Sequence, residues 1–211
     1  MKIIAHRGMW DKTLDQNTIS SFTRAINLNC GIETDIRNLD GNLIVSHNLA
    51  SKVSISFESV LGIIAEDLIS KKLPLCINIK EDGLKEMLVE SLRPYPELDY
   101  VVFDASLPEL FKYAQSNIPY LCRISEYEAW NKLFENCSGI WLDSLASNWI
   151  TYEKISEINS YKKRIFFVSP ELHSRNYENV WEILKAVDFK VETYICTDKI
   201  LEALEEFQTN E

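Results

Sequence analysis

Residues 31–36 read Gly31-Ile32-Glu33-Thr34-Asp35-Ile36. The run is short, apolar-rich and opens on a glycine, as a buried parallel strand does. It nevertheless carries two carboxylates two positions apart. Side chains repeat every two residues along a strand, so Glu33 and Asp35 project to the same side. Two bare carboxylates on one face repel, and burial makes each harder to ionise unless a cation lies between them. A hard divalent ion with oxygen ligands, Mg²⁺ or Ca²⁺, meets that demand. So does a salt bridge to Arg7 or Lys80.

The same pattern spreads outward. Short apolar runs over 2–6, 31–36, 74–80, 99–104, 118–123, 139–143, 164–168 and 190–196 predict strands. Amphipathic stretches near 17–29, 57–70, 82–92, 106–116, 125–136, 151–160, 176–187 and 198–208 predict helices between them. Ser106-Leu107-Pro108-Glu109 and Ser125-Glu126-Tyr127-Glu128 fit the capping box, and Thr151 and Asp198 fit N-caps. Strand and helix alternating eight times predicts an α/β fold, a single (β/α)8 TIM barrel over 1–211. A doubly wound open sheet is the alternative, but no glycine-rich loop follows the first strand. After the Asp40-Gly41 turn, Leu43-Ile44-Val45-Ser46 predicts a small hairpin arm that carries His47 back toward the strand ends.

The chain has 211 residues, a formal net charge of −10 and no low-complexity segment or linker. The negative balance argues against nucleic acid as a partner. The one basic cluster, Lys162-Lys163-Arg164, reads as a solvated turn before a strand. No apolar run is long enough to span a bilayer. The opening residues lack the long apolar run and cleavage site of a signal peptide, so a cytoplasmic location is expected. Five cysteines, an odd number with no Cys-x-x-Cys, fit buried thiols in a reducing compartment.

Polar residues collect at the C-terminal ends of the predicted strands. They include His6, Arg7, Glu33, Asp35, Asn78, Lys80, Asp104, Arg123, Asp143 and His173. That end of a β/α barrel is where active sites form. Asn78 and Lys80 repeat the i, i+2 geometry. A lysine at the end of a buried strand needs an anion, whether a substrate phosphate or a neighbouring carboxylate. The loop from Ser169 to Arg175, after the seventh predicted strand, suits either a specificity element or a solvated turn. Trp149 fits an alcohol pocket or the core.

In order along the chain stand His6-Arg7-Gly8, Asn17-Thr18, Glu33-Thr34-Asp35, Asp40-Gly41 and Ser46-His47-Asn48. The series resembles the glycerophosphodiester phosphodiesterase family, of the phosphatidylinositol-phospholipase-C-like superfamily. That family reads His-Arg-Gly, Glu-Asn-Thr, Glu-x-Asp, Asp-Gly, His-Asp. Ile195-Cys196-Thr197-Asp198 resembles its closing Ile-x-Thr-Asp segment. The resemblance implies a metal-dependent phosphoric diester hydrolase for a small soluble glycerophosphodiester-like substrate. It implies His6 and His47 as general acid and base, Glu33, Asp35 and Asn78 as ligands of Mg²⁺ or Ca²⁺, and Arg7 and Lys80 on the phosphate. Arg123 is a further candidate for substrate contact. Three acids of the family pattern are amides here, at Gln16, Asn48 and Asn78. Those changes motivate one rival, a barrel that binds a phosphorylated ligand without turning it over; a lyase on the same fold that releases a cyclic phosphate is another alternative. Asn17 is expected to cap the first helix and brace its loop.

Overall fold

The computed structural model describes residues 1–49, 51 and 54–208. It holds nine strands: β1 (Lys2–His6), β2 (Gly31–Leu39), β3 (Asn42–Val45), β4 (Leu75–Ile79), β5 (Tyr100–Phe103), β6 (Leu121–Ile124), β7 (Gly139–Leu142), β8 (Arg164–Val168) and β9 (Thr193–Thr197). The sheet order is β5-β4-β2-β1-β9-β8-β7-β6, with β3 paired to β2 off that path. Apart from the β3 arm and the β1–β9 pair, which joins the first strand to the last, neighbours in the sheet are neighbours in sequence. A doubly wound sheet reverses its order at a switch point, and this one does not. The chain has the (β/α)8 TIM-barrel topology.

Two compact units divide the chain: Ala5–Tyr120, and Met1–Ile4 with Leu121–Glu211. In the first, β2 and β4 run parallel with Glu33 opposite Cys76 and Asp35 opposite Asn78. β4 and β5 continue the ladder, with Asn78 opposite Phe103, and Val102 bridges Tyr120 just ahead of β6. The hairpin arm is antiparallel, with Ile36 opposite Val45 and Leu39 opposite Asn42. Helix α1 (Ile19–Asn27) buries Phe22, Ala25 and Ile26, one face at the i, i+3, i+4 spacing. Its N-cap is Thr18, in a reciprocal capping box with Ser21, so Asn17 is left for another task. Helix α2 (Phe57–Lys71) is capped by Ser56 and buries Phe57, Val60, Leu61, Ile64, Ala65 and Leu68. Helices α3 (Lys85–Leu92) and α4 (Leu107–Ala114) complete this unit, the latter capped by Ser106 as predicted.

In the second unit β6, β7, β8 and β9 pair in parallel, and helices α5 (Tyr152–Asn159), α6 (Glu178–Ala186) and α7 (Ile200–Gln208) follow β7, β8 and β9. Thr151 caps α5 as predicted, accepting from the Lys154 N–H. The helix expected over 125–136 does not form; only a 3-10 turn, Lys132–Glu135, stands there. Its capping box is diverted. The Glu128 carboxylate binds the Arg123 guanidinium, and Ser125 Oγ accepts from Tyr127 N at 3.2 Å. Glu126 reaches across to the loop after β7, where it accepts from the N–H groups of Leu145, Ala146 and Ser147 at 2.9, 2.6 and 2.9 Å. Those long-range bonds outweigh a local cap. All five cysteines are buried, as expected. Among the described residues no helix is long and apolar enough to cross a membrane.

Burial acts to raise the Glu126 carboxyl, but the three backbone donors outweigh it and hold the group at about 2. A depressed folded-state value stabilises the fold above the unfolded range near 4.5 and loses that contribution as pH falls toward 2. Glu126→Gln is therefore expected to cost on the order of 1 kcal/mol at pH 7. Its deficit should shrink as urea melts are repeated from pH 4.5 down to pH 2.5. A deficit independent of pH would show that the carboxylate charge is not what the loop uses.

Candidate active site

Seven of the eight site residues expected from the sequence lie in the unit Ala5–Tyr120: His6, Arg7, Glu33, Asp35, His47, Asn78 and Lys80. The centre is Asp35, which is fully buried. Lys80 Nζ lies 3.1 Å from its Oδ1, and Arg7 Nε lies 3.0 Å from its Oδ2. Asn17 Nδ2 donates to Oδ2 at 2.9 Å, while Asn17 Oδ1 accepts from Thr34 Oγ1 at 2.9 Å. Asn17 thus braces the strand carboxylate rather than the helix. Burial would raise Asp35, but Lys80, Arg7 and the Asn17 hydrogen bond hold it below the usual carboxylate range. The salt-bridge solution to the paired carboxylates is therefore realised at Asp35.

Glu33 is also buried, at 1% exposure, with fewer partners. Its Oε2 accepts from the Arg7 backbone N–H at 3.1 Å and lies 4.0 Å from His6 Nε2. Burial first, then the Asp35 charge, push its carboxyl up to about 7 against the pull of His6, Arg7 and Lys80. The loop that presents Arg7 is strained, with positive φ at Arg7 (57°), Gly8 (84°) and Asn17 (56°). Arg7 is held there by its N–H on the Glu33 carbonyl at 3.0 Å and by its carbonyl, which accepts from Asn17 N at 2.9 Å. A Cβ on Gly8 would come within 2.7 Å of the Ser21 backbone, so this position takes only glycine.

His47 follows the β3 arm, as expected. Asn48 Oδ1 lies 3.2 Å from His47 Nδ1. With the Asn48 amide oxygen in that place, the contact is a hydrogen bond for the Nδ1–H tautomer of His47, whose Nε2 is then the bare nitrogen. Burial, then the nearby Arg7 charge, lower the His47 value from 6.5. Arg37 was not singled out from the sequence. Its Nε and Nη2 donate to the His47 carbonyl at 3.2 and 3.0 Å, and its Nη1 donates to the Lys80 carbonyl at 3.2 Å. The sign that could have found it is the period of two: β2 runs on to Leu39, which puts Arg37 on the side of Glu33 and Asp35.

The donor set can be tested against a divalent ion. Asn78 Oδ1 is buried without a hydrogen-bond partner, while its Nδ2 donates to Asp104 Oδ2 at 3.3 Å. Asn78 stands directly opposite Asp35 in the ladder. Glu33, Asp35 and Asn78 offer oxygen donors only, the chemistry a hard cation takes. The set fits such an ion with one negative charge fewer than three carboxylates would give. Among the described residues no group of three or more His, Cys, Asp or Glu is arranged to hold a metal.

Arg123 lies in the other unit, with its guanidinium on Glu128. There too, His173 Nε2 lies 2.8 Å from Asp143 Oδ1, and Trp149 Nε1 donates to the Asp143 carbonyl at 3.0 Å. Glu171 ties the end of β8 to Thr197 and to the Asp198 N–H.

No family model matches this chain, and no curated protein does. Solved structures do. A glycerophosphodiester phosphodiesterase from Agrobacterium tumefaciens superposes with a TM-score of 0.66 at 15% identity, covering 93% of this chain and 96% of that one. One from Parabacteroides distasonis gives 0.67 at 15%, covering 97% and 95%. A dihydropteroate synthetase gives 0.51 at 10%, covering 97% and 91%, so the barrel itself is shared across chemistries.

Removing the charge at Asp35 leaves Arg7 and Lys80 without their buried counter-ion. Asp35→Asn is expected to lower stability by about 3 kcal/mol in denaturant melts run with chelator, and Lys80→Met by less, since Arg7 and Asn17 still hold Asp35. An Asp35→Asn variant as stable as the parent would show that the clamp carries no stability.

The short motifs resemble those of the glycerophosphodiester phosphodiesterases, and two solved structures of such enzymes share this chain's TIM-barrel fold at 15% identity.

Proposed function

We propose that this protein is a phosphodiesterase of the glycerophosphodiester type, acting on a small soluble phosphodiester. The observation that carries the reading is the meeting of two buried strand carboxylates, Glu33 and Asp35, with Arg7 and Lys80 and with His6 beside Glu33. His47 shares a pocket with Arg7. The fold neighbours add weight to it.

The substrate phosphate binds against Arg7 and Lys80. Each keeps donors beyond those spent on Asp35, and together they counter the charge that grows on the phosphoryl oxygens in the transition state. Glu33, Asp35 and Asn78 would hold a divalent ion, which supplies Lewis-acid stabilisation of that same charge when bound. His47, with a bare Nε2, is suited to take the proton of the attacking hydroxyl, whether water or a neighbouring hydroxyl of the substrate. His6, with Nε2 4.0 Å from Glu33 Oε2, gives a proton to the leaving alkoxide. Water attack yields a phosphomonoester. Attack by the substrate's own hydroxyl yields a cyclic phosphate and makes the protein a lyase.

His6→Ala and His47→Ala are each expected to lower kcat by about 10²-fold or more. The check is ³¹P NMR of the protein with a panel of glycerophosphodiesters, in Mg²⁺, in Ca²⁺ and with chelator. A new monoester or cyclic-phosphate signal that both substitutions abolish supports the reading and tells hydrolase from lyase. Turnover that survives both substitutions overturns the mechanism. Ligand binding with no product in any condition would favour a barrel that binds without catalysis, the reading that Asn78 in place of a third carboxylate motivates.

A further inference from the structure

Beside Arg7 and His47 opens a pocket of about 640 Å³. Its described lining comes from the loop before α1 and the first residue of that helix (Thr13, Leu14, Gln16, Asn17, Thr18, Ile19) and from the end of β3 onward (Val45, Ser46, His47, Asn48, Ser54, Ile55). Its charge pattern is one-sided. Among the described lining residues there is no carboxylate and no Phe, Tyr or Trp, and Arg7 is the only permanent charge.

The neutral polar groups are partly committed and partly open. Gln16 Oε1 accepts from Arg7 Nη1 at 3.2 Å, so its Nε2 is not spent on that bond. Asn48 Oδ1 sits on the His47 ring, which leaves Nδ2. Thr13 adds a hydroxyl, and Leu14, Ile19, Val45 and Ile55 add aliphatic surface. Amide donors and a hydroxyl set between aliphatic patches are what a polyol ring needs: partners for its hydroxyls and a dry wall for its C–H face. A cationic head group meets the reverse. It would sit beside the Arg7 guanidinium, whose counter-ion Asp35 is not in the described lining, with no carboxylate there to pair it and no Phe, Tyr or Trp face to receive it.

Resting on the phosphodiesterase reading, the geometry points to an uncharged polyol, of the size of a sugar or cyclitol ring, as the alcohol this pocket takes, and to rejection of cationic alcohols such as choline and ethanolamine. Specificity here is set by the absence of a counter-charge as much as by contacts.

The test compares glycerophosphoinositol and glycerophosphoglycerol with glycerophosphocholine and glycerophosphoethanolamine. Turnover is read by ³¹P NMR and binding by broadening of each ligand's own signals, for the parent protein and for Thr13→Asp and Ser54→Asp. These two substitutions add a carboxylate to the pocket wall without touching the proposed catalytic groups. The expected result is a kcat/KM at least about tenfold higher for the neutral pair in the parent, a gain of about fivefold for the cationic pair in either variant, and little change for the neutral pair in Ser54→Asp, whereas Thr13→Asp also loses the Thr13 hydroxyl and lowers it. Equal or better turnover of the cationic diesters by the parent overturns the inference and leaves the phosphodiesterase reading standing. So does a ratio that neither new carboxylate moves. Selective binding of the neutral diesters with no turnover supports the pocket assignment and overturns the catalytic reading. Failure to bind or turn over any of the four overturns both.

Discussion

One buried anion organises the candidate site. The Asp35 carboxylate is shut off from water, and an ion in that position is tolerated only where opposite charge and hydrogen bonds replace its hydration. The replacements come from three places: Arg7 just beyond β1, Asn17 in the loop before α1, and Lys80 just beyond β4. Each must end at the same few ångströms, so the lengths and registers of the strands that bring them there are constrained together. The parallel register that sets Asp35 opposite Asn78 places Lys80 two residues further along the same strand side. The left-handed backbone at Arg7 and Asn17 follows from the same demand: the chain turns sharply to aim these groups at the anion, and hydrogen bonds through Glu33 and Ser21 hold the turn closed.

The clamp also separates the two carboxylates. Asp35 takes both cations and stays ionised, while Glu33 keeps one backbone donor and the distant His6 ring, and its carboxyl rises to about 7. Environments that drive paired acids apart are a mark of functional sites. A third carboxylate at position 78 would add like charge to this group; an amide supplies an oxygen without it. Asn78 Oδ1 is buried and unmatched, so the site keeps the geometry of a three-oxygen donor set with a lower charge.

The fold was legible because its signals are local and repeated. Runs such as Leu75-Cys76-Ile77 and Arg164-Ile165-Phe166 are strands wherever they occur in this chain, and Thr151 and Ser106 cap the helices they precede. The miss at 125–136 has the opposite character. The local pattern there is a sound capping box, but Glu126 and Glu128 have better partners far along the chain or one strand back, and those cannot be seen from the spacing. The same limit applied within the site. Glu33, Asp35, Lys80 and the two histidines stood out by type and position, whereas the partner each carboxylate takes depends on tertiary packing. Asn17 looked like a cap because asparagine often is one, and its neighbour Thr18 does that work. Arg37 escaped notice because β2 runs three residues past its predicted end.

That overlooked guanidinium has a mechanical consequence. Three of its hydrogen bonds run to two carbonyls, one at His47 on the arm and one at Lys80 beyond β4. The arm and the strand end are thereby a single stiff piece, joined by a planar fork that does not bend. Any motion that lifts His47 outward must either tear the fork from one carbonyl or drag the Lys80 segment with it. The backbones that carry the imidazole and the ammonium are therefore tied to each other through one side chain.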